Sequence, residues 1–293
     1  MILLDGRKVR DEIAMTLQRK IEACLSKPEL AIVQIGDRKE SASYIQQKKI
    51  FGERIGVVVR HRILPVSVSD NEVTEEIRKL NADNSISGII IQLPLPDSLN
   101  RQRLLDVITP MKDVDGLGSE NVSARGRSVP YLWPATARGI MELLDFYGIA
   151  VQGKKIAVLG RSDLVGKPTA EILRSRGALV SVCHSETHDT ASITRESDII
   201  VVAIGKPHFI GASYTRDDKT QVVVDVGITA VKDGGAVRLE EEIPRKRILG
   251  DVDFEAVKDR VAAISPVPGG VGPMTVAALF ENLMLAYEWQ RKV

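Results

Sequence analysis

Tyr44 and Lys48 are the residues whose types and spacing most directly suggest chemistry. Residues four apart share one face of a helix, so an aromatic ring and an amine would lie side by side. The ring could stack on a flat heterocycle, and the amine could accept or donate a proton. Taken alone, Tyr-x-x-x-Lys is more often an exposed amphipathic pair, so other residues must decide between the two interpretations.

Gln92 and an acidic loop favour the chemical interpretation. Gln92 follows an apolar run of strand length, at the end of a strand where ligands bind in open α/β sheets. The segment Lys112–Gly116 then places Asp113 and Asp115 in one loop. Two close aspartates usually mark a solvated turn and sometimes a metal site. The sequence offers no supporting set of His, Asp or Glu ligands, so we expect no metal.

Another candidate segment, Pro266–Thr275, has three glycines and three prolines in ten residues. Proline removes a backbone donor and glycine carries an entropy cost, so this composition predicts a loop. An apolar helical pattern over Val276–Tyr287 follows at once. A stiff loop leading into a helix can bring backbone close to a ligand, although a tight strand-to-helix connection would have the same composition.

Gly160 and Gly166 lie in a turn between the apolar run Ile156–Leu159 and the helical segment Thr169–Arg176. Strand, glycine turn and helix form the context in which backbone donors and a helix N-terminus bind phosphate. The spacing is not G-x-G-x-x-G, so the glycines alone are weak evidence against an ordinary turn. Their context nevertheless favours a dinucleotide site.

The next predicted strand indicates which dinucleotide is bound. A protein that prefers NAD usually has Asp or Glu at this strand end, to accept from the ribose 2′-hydroxyl. Here the strand ends in Cys183, His184 and Ser185, without an acid in that position. Arg161 can supply positive charge and Ser185 a donor for a 2′-phosphate. The sequence therefore favours NADP, while Glu186, one residue further, leaves NAD open.

Alternating strands and helices must position these residues. Val9, Ile13, Leu17 and Ile21 predict a first amphipathic helix, and the strand–helix alternation after it predicts parallel sheets covered on both faces. Residues 112–134 are loop-like. Strands are predicted at Leu30–Ile35, Gly56–Ile63, Gly88–Gln92, Lys155–Leu159, Leu179–Cys183, Ile199–Ile204, Gln221–Val226 and Ala263–Ser265, and helices over about 41–55, from Ser69 or Asp70, and over about 98–108 and 136–147.

Bulk properties limit the class of protein. A chain of 293 residues is larger than one typical core, so two α/β domains are expected. Forty basic and 39 acidic residues, with 4% aromatics, argue against nucleic-acid and membrane partners. Two distant cysteines indicate no disulfide framework, and no leader or membrane-spanning pattern is present, which favours a cytoplasmic location.

Six segments together resemble the bifunctional methylenetetrahydrofolate dehydrogenase/cyclohydrolase family. They occur in the family's order over nearly the whole chain, and the closing segment is the most specific. The segments are Tyr44-x-x-x-Lys48, Ile91–Pro96, Lys112–Gly116, Gly160–Pro168, Gly250–Val252 and Pro266–Thr275.

The resemblance implies an N-terminal parallel-sheet catalytic domain that binds folate and a Rossmann-type NADP domain, with a cleft between them. The first would comprise residues 1–135, with the C-terminal helix (275–293) returning to it, and the second residues 136–274. The resemblance also implies that the protein is a homodimer. One site would oxidise 5,10-methylenetetrahydrofolate with NADP and hydrolyse the methenyl product to 10-formyltetrahydrofolate.

The resemblance also implies site roles. Lys48 would be the general acid/base of hydrolysis, oriented by Gln92, while Tyr44 would stack on the folate and Asp115 would accept hydrogen bonds from the pterin. The other folate-binding residues would be Ile45, Gln46, Gln47, Ile91, Leu93, Pro268, Gly269, Gly270, Val271, Gly272, Pro273, Met274, Thr275 and Val276. NADP would contact Gly160, Arg161, Ser162, Val165, Gly166, His184, Ser185, Gly205, Gly227 and Ile228.

The chain departs from the family in one segment. The family usually has Asn-x-Gly-x-Leu after the acidic loop and later Pro-Cys-Thr-Pro, whereas this chain has Asn121–Arg125 and Pro134–Ala137. Three alternatives remain: a dehydrogenase without cyclohydrolase activity, another NADP-linked enzyme such as a shikimate or amino-acid dehydrogenase, and a non-catalytic NADP-binding scaffold. The Lys48–Gln92 pair argues against the first alternative, and the closing segment argues against the second. The proton-transfer residues are intact, which argues against the third.

Overall fold

The computed structural model describes residues 1–37, 39–127, 129–232 and 246–291. The chain divides into two compact units. The first unit comprises Arg10–Arg138 and Thr275–Val293, and the second comprises Met1–Val9 and Gly139–Met274. The sequence placed residues 1–9 in the first domain. They belong to the second unit because strand β1 (Ile2–Leu3) pairs with Ala263–Ile264 of its sheet.

A three-stranded parallel sheet, in the order β3 (Val58–Leu64), β2 (Glu29–Ile35) and β4 (Gly88–Ile91), forms the centre of the first unit. Its middle strand is buried on both faces, which explains why it is a continuous apolar run rather than an alternating one. Ser69 and Glu72 form a reciprocal capping box that starts the helix before β4. Helices α1 (Gly6–Glu22) and α6 (Ala135–Phe146) cross the boundary between the units. The elements between them are β2 (Glu29–Ile35), α2 (Lys39–Ile55), β3 (Val58–Leu64), α3 (Asp70–Ala82), β4 (Gly88–Ile91), α4 (Arg101–Leu105) and α5 (Ser119–Ala124).

The last helix, α10 (Val271–Trp289), packs its apolar residues into the core of the first unit. Phe280 contacts Phe51 of α2, with ring centroids 5.2 Å apart, and Leu279 and Leu283 lie in the same buried cluster as Leu30. The predicted return of the C-terminal helix to the first domain is therefore confirmed.

The second unit contains a six-stranded parallel sheet. Its strand order is β1, β11 (Ala263–Ile264), β8 (Val222–Asp225), β7 (Ile199–Val202), β5 (Lys155–Leu159) and β6 (Leu179–Cys183). Because all six strands are parallel, their carboxyl ends lie along one edge, where nucleotides bind in doubly wound sheets. A separate antiparallel pair joins β9 and β10. The elements are β5 (Lys155–Leu159), α7 (Gly166–Ser175), β6 (Leu179–Cys183), α8 (Thr190–Glu196), β7 (Ile199–Val202), β8 (Val222–Asp225), β9 (Thr229–Lys232), β10 (Lys246–Leu249), α9 (Phe254–Val257) and β11 (Ala263–Ile264).

The two-domain α/β class is confirmed, whereas several element boundaries differ from the sequence expectations. The helix expected over 98–108 is shortened to α4, with Asn100 as its N-cap. The segment expected to be a loop over 112–134 contains α5. Helix α10 begins inside the Gly/Pro segment, because proline is tolerated in a first turn where N–H groups have no intrahelical partner. None of the described helices has the length and apolarity needed to cross a bilayer.

Candidate active site

Lys48 and Gln92 meet at the carboxyl end of β4. Nζ of Lys48 donates to Oε1 of Gln92 at 2.8 Å, and Nε2 of Gln92 donates to the carbonyl of Leu93 at 2.9 Å. Because Leu93 engages the donor side of the amide, the amide oxygen faces the lysine. The hydrogen bond expected between Lys48 and Gln92 is therefore present, and it restrains an otherwise flexible amine.

Asp115 acts electrostatically on the same amine. Burial lowers the pKa of Lys48, and the charge of Asp115 partly offsets that shift. Burial likewise raises the pKa of the Asp115 carboxyl, and Lys48 opposes the rise. Burial therefore moves both groups towards their neutral forms. An amine with a lowered pKa can exchange protons closer to neutral pH than an exposed lysine can.

Tyr44 lies one turn before Lys48 on α2, and it is 47% exposed, so its ring is accessible to a ligand. Gln46 and Gln47 on the same helix are also exposed. Ile45 and Ile91 are different, because each is 2% exposed and packs in a hydrophobic core. Their side chains are therefore not available to a substrate, and only their main chain could make the expected folate contacts.

The two aspartates of the acidic loop have different functions. Asp113 is 1% exposed, and its carboxylate accepts hydrogen bonds from the backbone N–H of Gly116 at 3.1 Å and of Gly118 at 2.8 Å. It also accepts one from Nδ2 of Asn121 at 2.9 Å. Asp113 thus organises the loop, while the half-buried Asp115 is the carboxylate that interacts with Lys48.

Lys112 anchors this loop to α3. Its Nζ donates to the carbonyls of Asn81 at 2.7 Å and Asp83 at 2.8 Å, at the C-terminal end of the helix. The side chain is 7% exposed. A cation at this position satisfies carbonyls that have no intrahelical partner and interacts favourably with the helix dipole. Lys112 therefore holds the loop without contacting Lys48.

Asn121 links the acidic loop to the segment in which the chain departs from the family pattern. Its Oδ1 accepts from the N–H of Leu132 at 3.0 Å, and its Nδ2 donates to the carbonyl of Pro110 at 3.2 Å. The side chain is 3% exposed. Asn121 was not among the site residues expected from the sequence. A buried amide among residues expected to form a loop could have been inferred only from the hydrogen bonds that the fold creates.

The closing segment is divided between the two units. Pro268–Met274 belong to the second unit, whereas Thr275 and Val276 belong to the first. Gly269 has a φ of +115°, and its carbonyl accepts from the N–H of Gly6 at 2.9 Å. Val271 and Met274 are buried, while Pro268, Gly272 and Pro273 are at least partly exposed. The exposed backbone that could meet a ligand is therefore confined to part of the expected stretch.

The turn after β5 requires its glycines. Gly160 has a φ of +113°, and a Cβ there would collide with the carbonyl oxygen of Ala203. A Cβ on Gly166 would collide with the carbonyl oxygen of Gly160. Oγ of Ser162 accepts from the N–H groups of Val165 and Gly166 at 3.2 and 3.3 Å. This close-packed turn, together with the exposed Arg161, fits a dinucleotide phosphate site.

Two buried aspartates hold the other turns along this edge of the sheet. Asp251 accepts from the N–H groups of Ile204 and Gly205 at 2.7 and 2.9 Å. Asp225 accepts from the N–H groups of Gly227 and Asp251 at 3.0 and 3.1 Å, and burial raises its pKa to about 6. Neither aspartate was among the site residues expected from the sequence, although Gly250–Val252 was one of the motifs that carry the family resemblance.

The remaining expected cofactor residues lie at the same carboxyl edge. His184 and Ser185 follow β6, and Ile228 follows Gly227 after β8. Ser185 and Ile228 are exposed, and His184 is partly buried. In the described ranges, His, Cys, Asp and Glu form no group of three that could hold a metal ion.

Comparisons with known proteins find a matching family model for each half of the chain. A family model described as tetrahydrofolate dehydrogenase/cyclohydrolase, catalytic domain, matches residues 4–115, and the corresponding NAD(P)-binding domain model matches residues 134–291. The chain is 40% identical over 285 residues to the bifunctional protein FolD of Methanoculleus marisnigri, covering 97% of this chain and 96% of that protein.

Two further relatives extend the comparison. The chain is 39% identical over 292 residues, 97% of its length, to the mitochondrial C-1-tetrahydrofolate synthase of Schizosaccharomyces pombe, and it spans 29% of that longer protein. It also superposes, with a TM-score of 0.91 and 34% identity, on N5,N10-methylenetetrahydrofolate dehydrogenase-cyclohydrolase (FolD) of Trypanosoma brucei complexed with NADP and an inhibitor. That match covers 100% of this chain and 99% of the solved one.

Proposed function

The chain belongs to the tetrahydrofolate dehydrogenase/cyclohydrolase family, and we propose that the residues described above carry the family's two reactions in it. It oxidises 5,10-methylenetetrahydrofolate to the 5,10-methenyl compound with NADP, and it hydrolyses that compound to 10-formyltetrahydrofolate. The observation that carries the residue assignment is the hydrogen bond between Lys48 and Gln92.

For the oxidation, the second unit holds the dinucleotide. NADP supplies the hydride acceptor when it is bound. Gly160 and Gly166 let the backbone of the turn approach the phosphates, and Arg161 and Ser185 are placed at the strand ends to recognise a 2′-phosphate. Asp225 and Asp251 fix the turns that carry Gly205 and Gly227.

For the hydrolysis, we assign general acid/base catalysis to Lys48. As a neutral amine it accepts a proton from the water that attacks the methenyl carbon, and it returns a proton to the ring nitrogen that leaves when the ring opens. The second proton of the water is released to solvent. The lowered pKa of Lys48 supports this assignment, since a fully charged amine could not begin as the base. Gln92 orients the amine.

For substrate binding, we assign stacking to the exposed ring of Tyr44 and recognition of the pterin N–H groups to Asp115. Gln46, Gln47 and Leu93 are further candidate contacts. In the closing segment, we assign ligand contacts to the residues of Pro268–Val276 that are at least partly exposed, which are Pro268, Gly272, Pro273, Thr275 and Val276.

The two activities are tested in one assay. Purified protein is mixed with 5,10-methylenetetrahydrofolate and NADP, and NADPH and the methenyl chromophore are recorded separately. We expect NADPH to form with little methenyl accumulation beyond a control for spontaneous hydrolysis. Methenyl accumulating in step with NADPH would indicate a dehydrogenase without cyclohydrolase activity. An absence of NADPH formation would favour a non-catalytic scaffold.

Lys48→Met tests the assignment of the base. We expect methenyl hydrolysis to fall by at least about a hundredfold, the usual scale of general acid/base catalysis, with little change in NADP affinity. Lys49→Met, on the same helix, is the matched control. A Lys48→Met variant that hydrolyses the methenyl compound at the wild-type rate would show that another group is the base.

We extend the proposal to assembly on the resemblance, as a homodimer that handles tetrahydrofolate one-carbon derivatives, and to a cytoplasmic location on the cysteine content of the sequence. Light scattering coupled to gel filtration tests the first point, because a dimer would have twice the 32.1 kDa mass of the chain. A mass that stays at that of one chain across micromolar concentrations would contradict it.

A further inference from the structure

The turn after β6 brings a carboxylate next to Arg161. We propose that this residue, Glu186, determines cofactor specificity by weakening the preference for NADP over NAD. The inference rests on the proposed function of the second unit as the NADP-binding domain. It concerns a residue that lies outside the expected cofactor contacts, and it predicts that NAD is a usable cofactor at the same site.

The pairing follows from the ends of two neighbouring strands. The N–H of Gly160 donates to the carbonyl of Cys183 at 2.8 Å, so the turn after β5 lies beside the end of β6. Nη2 of Arg161 then lies 3.6 Å from Oε1 of Glu186. Both side chains are exposed, at 53% and 73%, so an incoming nucleotide can reach either.

The backbone holds Glu186 in this position. In the turn from His184 to Thr187, the N–H of Thr187 donates to the carbonyl of His184 at 2.9 Å. The N–H of His184 donates to Oγ1 of Thr187 at 2.9 Å. The N–H of Glu186 itself donates to Nδ1 of His184 at 3.3 Å. The carboxylate is thus presented next to Arg161 by a hydrogen-bonded turn.

The charges determine the effect on each nucleotide. A 2′-phosphate carries a charge between about −1.5 and −2 near neutral pH and must compete with Glu186 for the guanidinium of Arg161. It is also repelled by the carboxylate. NAD has a 2′-hydroxyl instead, from which a carboxylate at this strand end can accept a hydrogen bond. Glu186 therefore weakens the binding of NADP and leaves the binding of NAD unchanged or strengthens it.

Glu186→Gln removes the charge and keeps the size. We expect NADP to bind about three- to fivefold more tightly, the scale of an exposed ion pair, while NAD binding stays unchanged or weakens. The gain should shrink as salt is raised, because both charges are exposed. Glu196→Gln, an exposed site on α8, is the matched control for the overall change in charge.

A double-mutant cycle with Arg161→Gln makes the test specific. If Glu186 acts by competing for Arg161, most of the NADP gain must disappear when Arg161→Gln is already present. Affinities are measured by titrating NADP and NAD into the protein without folate. An equal response of both nucleotides, a response matched by Glu196→Gln, or a gain that persists fully without Arg161 would overturn the proposal.

The same titrations separate this inference from the proposed function. If the wild-type protein binds neither nucleotide, the NADP-domain assignment fails and the inference fails with it. If it binds NADP and forms NADPH from methylenetetrahydrofolate but Glu186→Gln leaves the NADP-to-NAD affinity ratio unchanged, only the inference is wrong.

Discussion

Nζ of Lys48 donates a 2.8 Å hydrogen bond to Oε1 of Gln92, which connects helix α2 to the residue that follows strand β4. Strand β4 fixes the position of Gln92 and so of the amine, because β4 pairs with β2 and all four residues of β4 are buried. An otherwise flexible lysine is therefore positioned by a rigid sheet, as a site for proton transfer requires.

Gln92→Met should reduce hydrolysis far more than oxidation. Methionine is similar in length but offers no comparable acceptor, so the Lys48 amine loses its restraint. We expect methenyl hydrolysis to fall by about tenfold or more, with NADP affinity within about twofold of the wild type. Stopped-flow measurement of methenyl decay and NADP titration provide the two readouts. Equal losses in both would indicate a general defect in folding.

Asp115→Asn should shift the pH dependence of hydrolysis towards acid. The charge of Asp115 raises the pKa of Lys48, so its removal lowers that pKa further and increases the neutral amine at a given pH. The limb on which kcat/KM rises with pH should therefore move to lower pH, while KM for folate increases. Asp97→Asn, an exposed change in the same unit, is the control. A limb shifted towards alkaline pH would contradict the assigned interaction.

Lys112→Met should destabilise the first unit. Two close hydrogen bonds from the buried Lys112 amine to the partly buried carbonyls of Asn81 and Asp83 would be lost. We expect the free energy of unfolding to fall by about 2–4 kcal/mol. Urea denaturation measures this free energy. Lys79→Met, an exposed change on α3, should lower it by less than about 0.5 kcal/mol. Similar costs for both variants would refute the anchoring function.

Asp225→Asn should change how stability depends on pH. Burial raises the pKa of Asp225 from 3.8 to about 6, so the neutral carboxyl stabilises the fold fully below pH 3.8 and loses that contribution as pH rises through 6. The variant loses acceptors for backbone N–H groups and should be less stable than the wild type at pH 4. Because the variant cannot ionise, this deficit should shrink by about 2 kcal/mol by pH 7.

Denaturant unfolding at several pH values measures this trend. Asp217→Asn, at an exposed carboxylate paired with Arg260, provides the reference for a surface change. A deficit of Asp225→Asn that stays constant from pH 4 to pH 7 would show that the carboxyl does not titrate in this range in the folded protein.

The regular elements were predictable where local physics is sufficient. The strand Lys155–Leu159 matches its prediction at both ends, since a buried parallel strand is a short apolar run. The start of α3 was predicted at Ser69 or Asp70, and the structure has Ser69 as the N-cap of a helix that begins at Asp70. The pair β9 and β10 was not predicted, because neither four-residue segment has a strong local strand signal.

The candidate site was predictable in its residue types and less so in its geometry. Tyr44, Lys48 and Gln92 were singled out because helical spacing and a strand end imply where they lie. The burial of Ile45 and Ile91 was not predicted, because adjacency in sequence does not show which way a side chain faces, and both side chains face a core. Glu186 was recognised as an ambiguity, but its approach to Arg161 depends on two strand ends meeting.

By itself the sequence determined the chemistry that is available: an amine, an amide and a carboxylate in one unit, and a glycine turn with a cation in the other. The tertiary structure alone decided which of two neighbouring aspartates organises a loop and which interacts with Lys48. Asp113 and Asp115 have the same residue type and lie in the same loop. They differ because backbone N–H groups from Gly116 and Gly118 converge on Asp113, and such convergence exists only once the chain has folded.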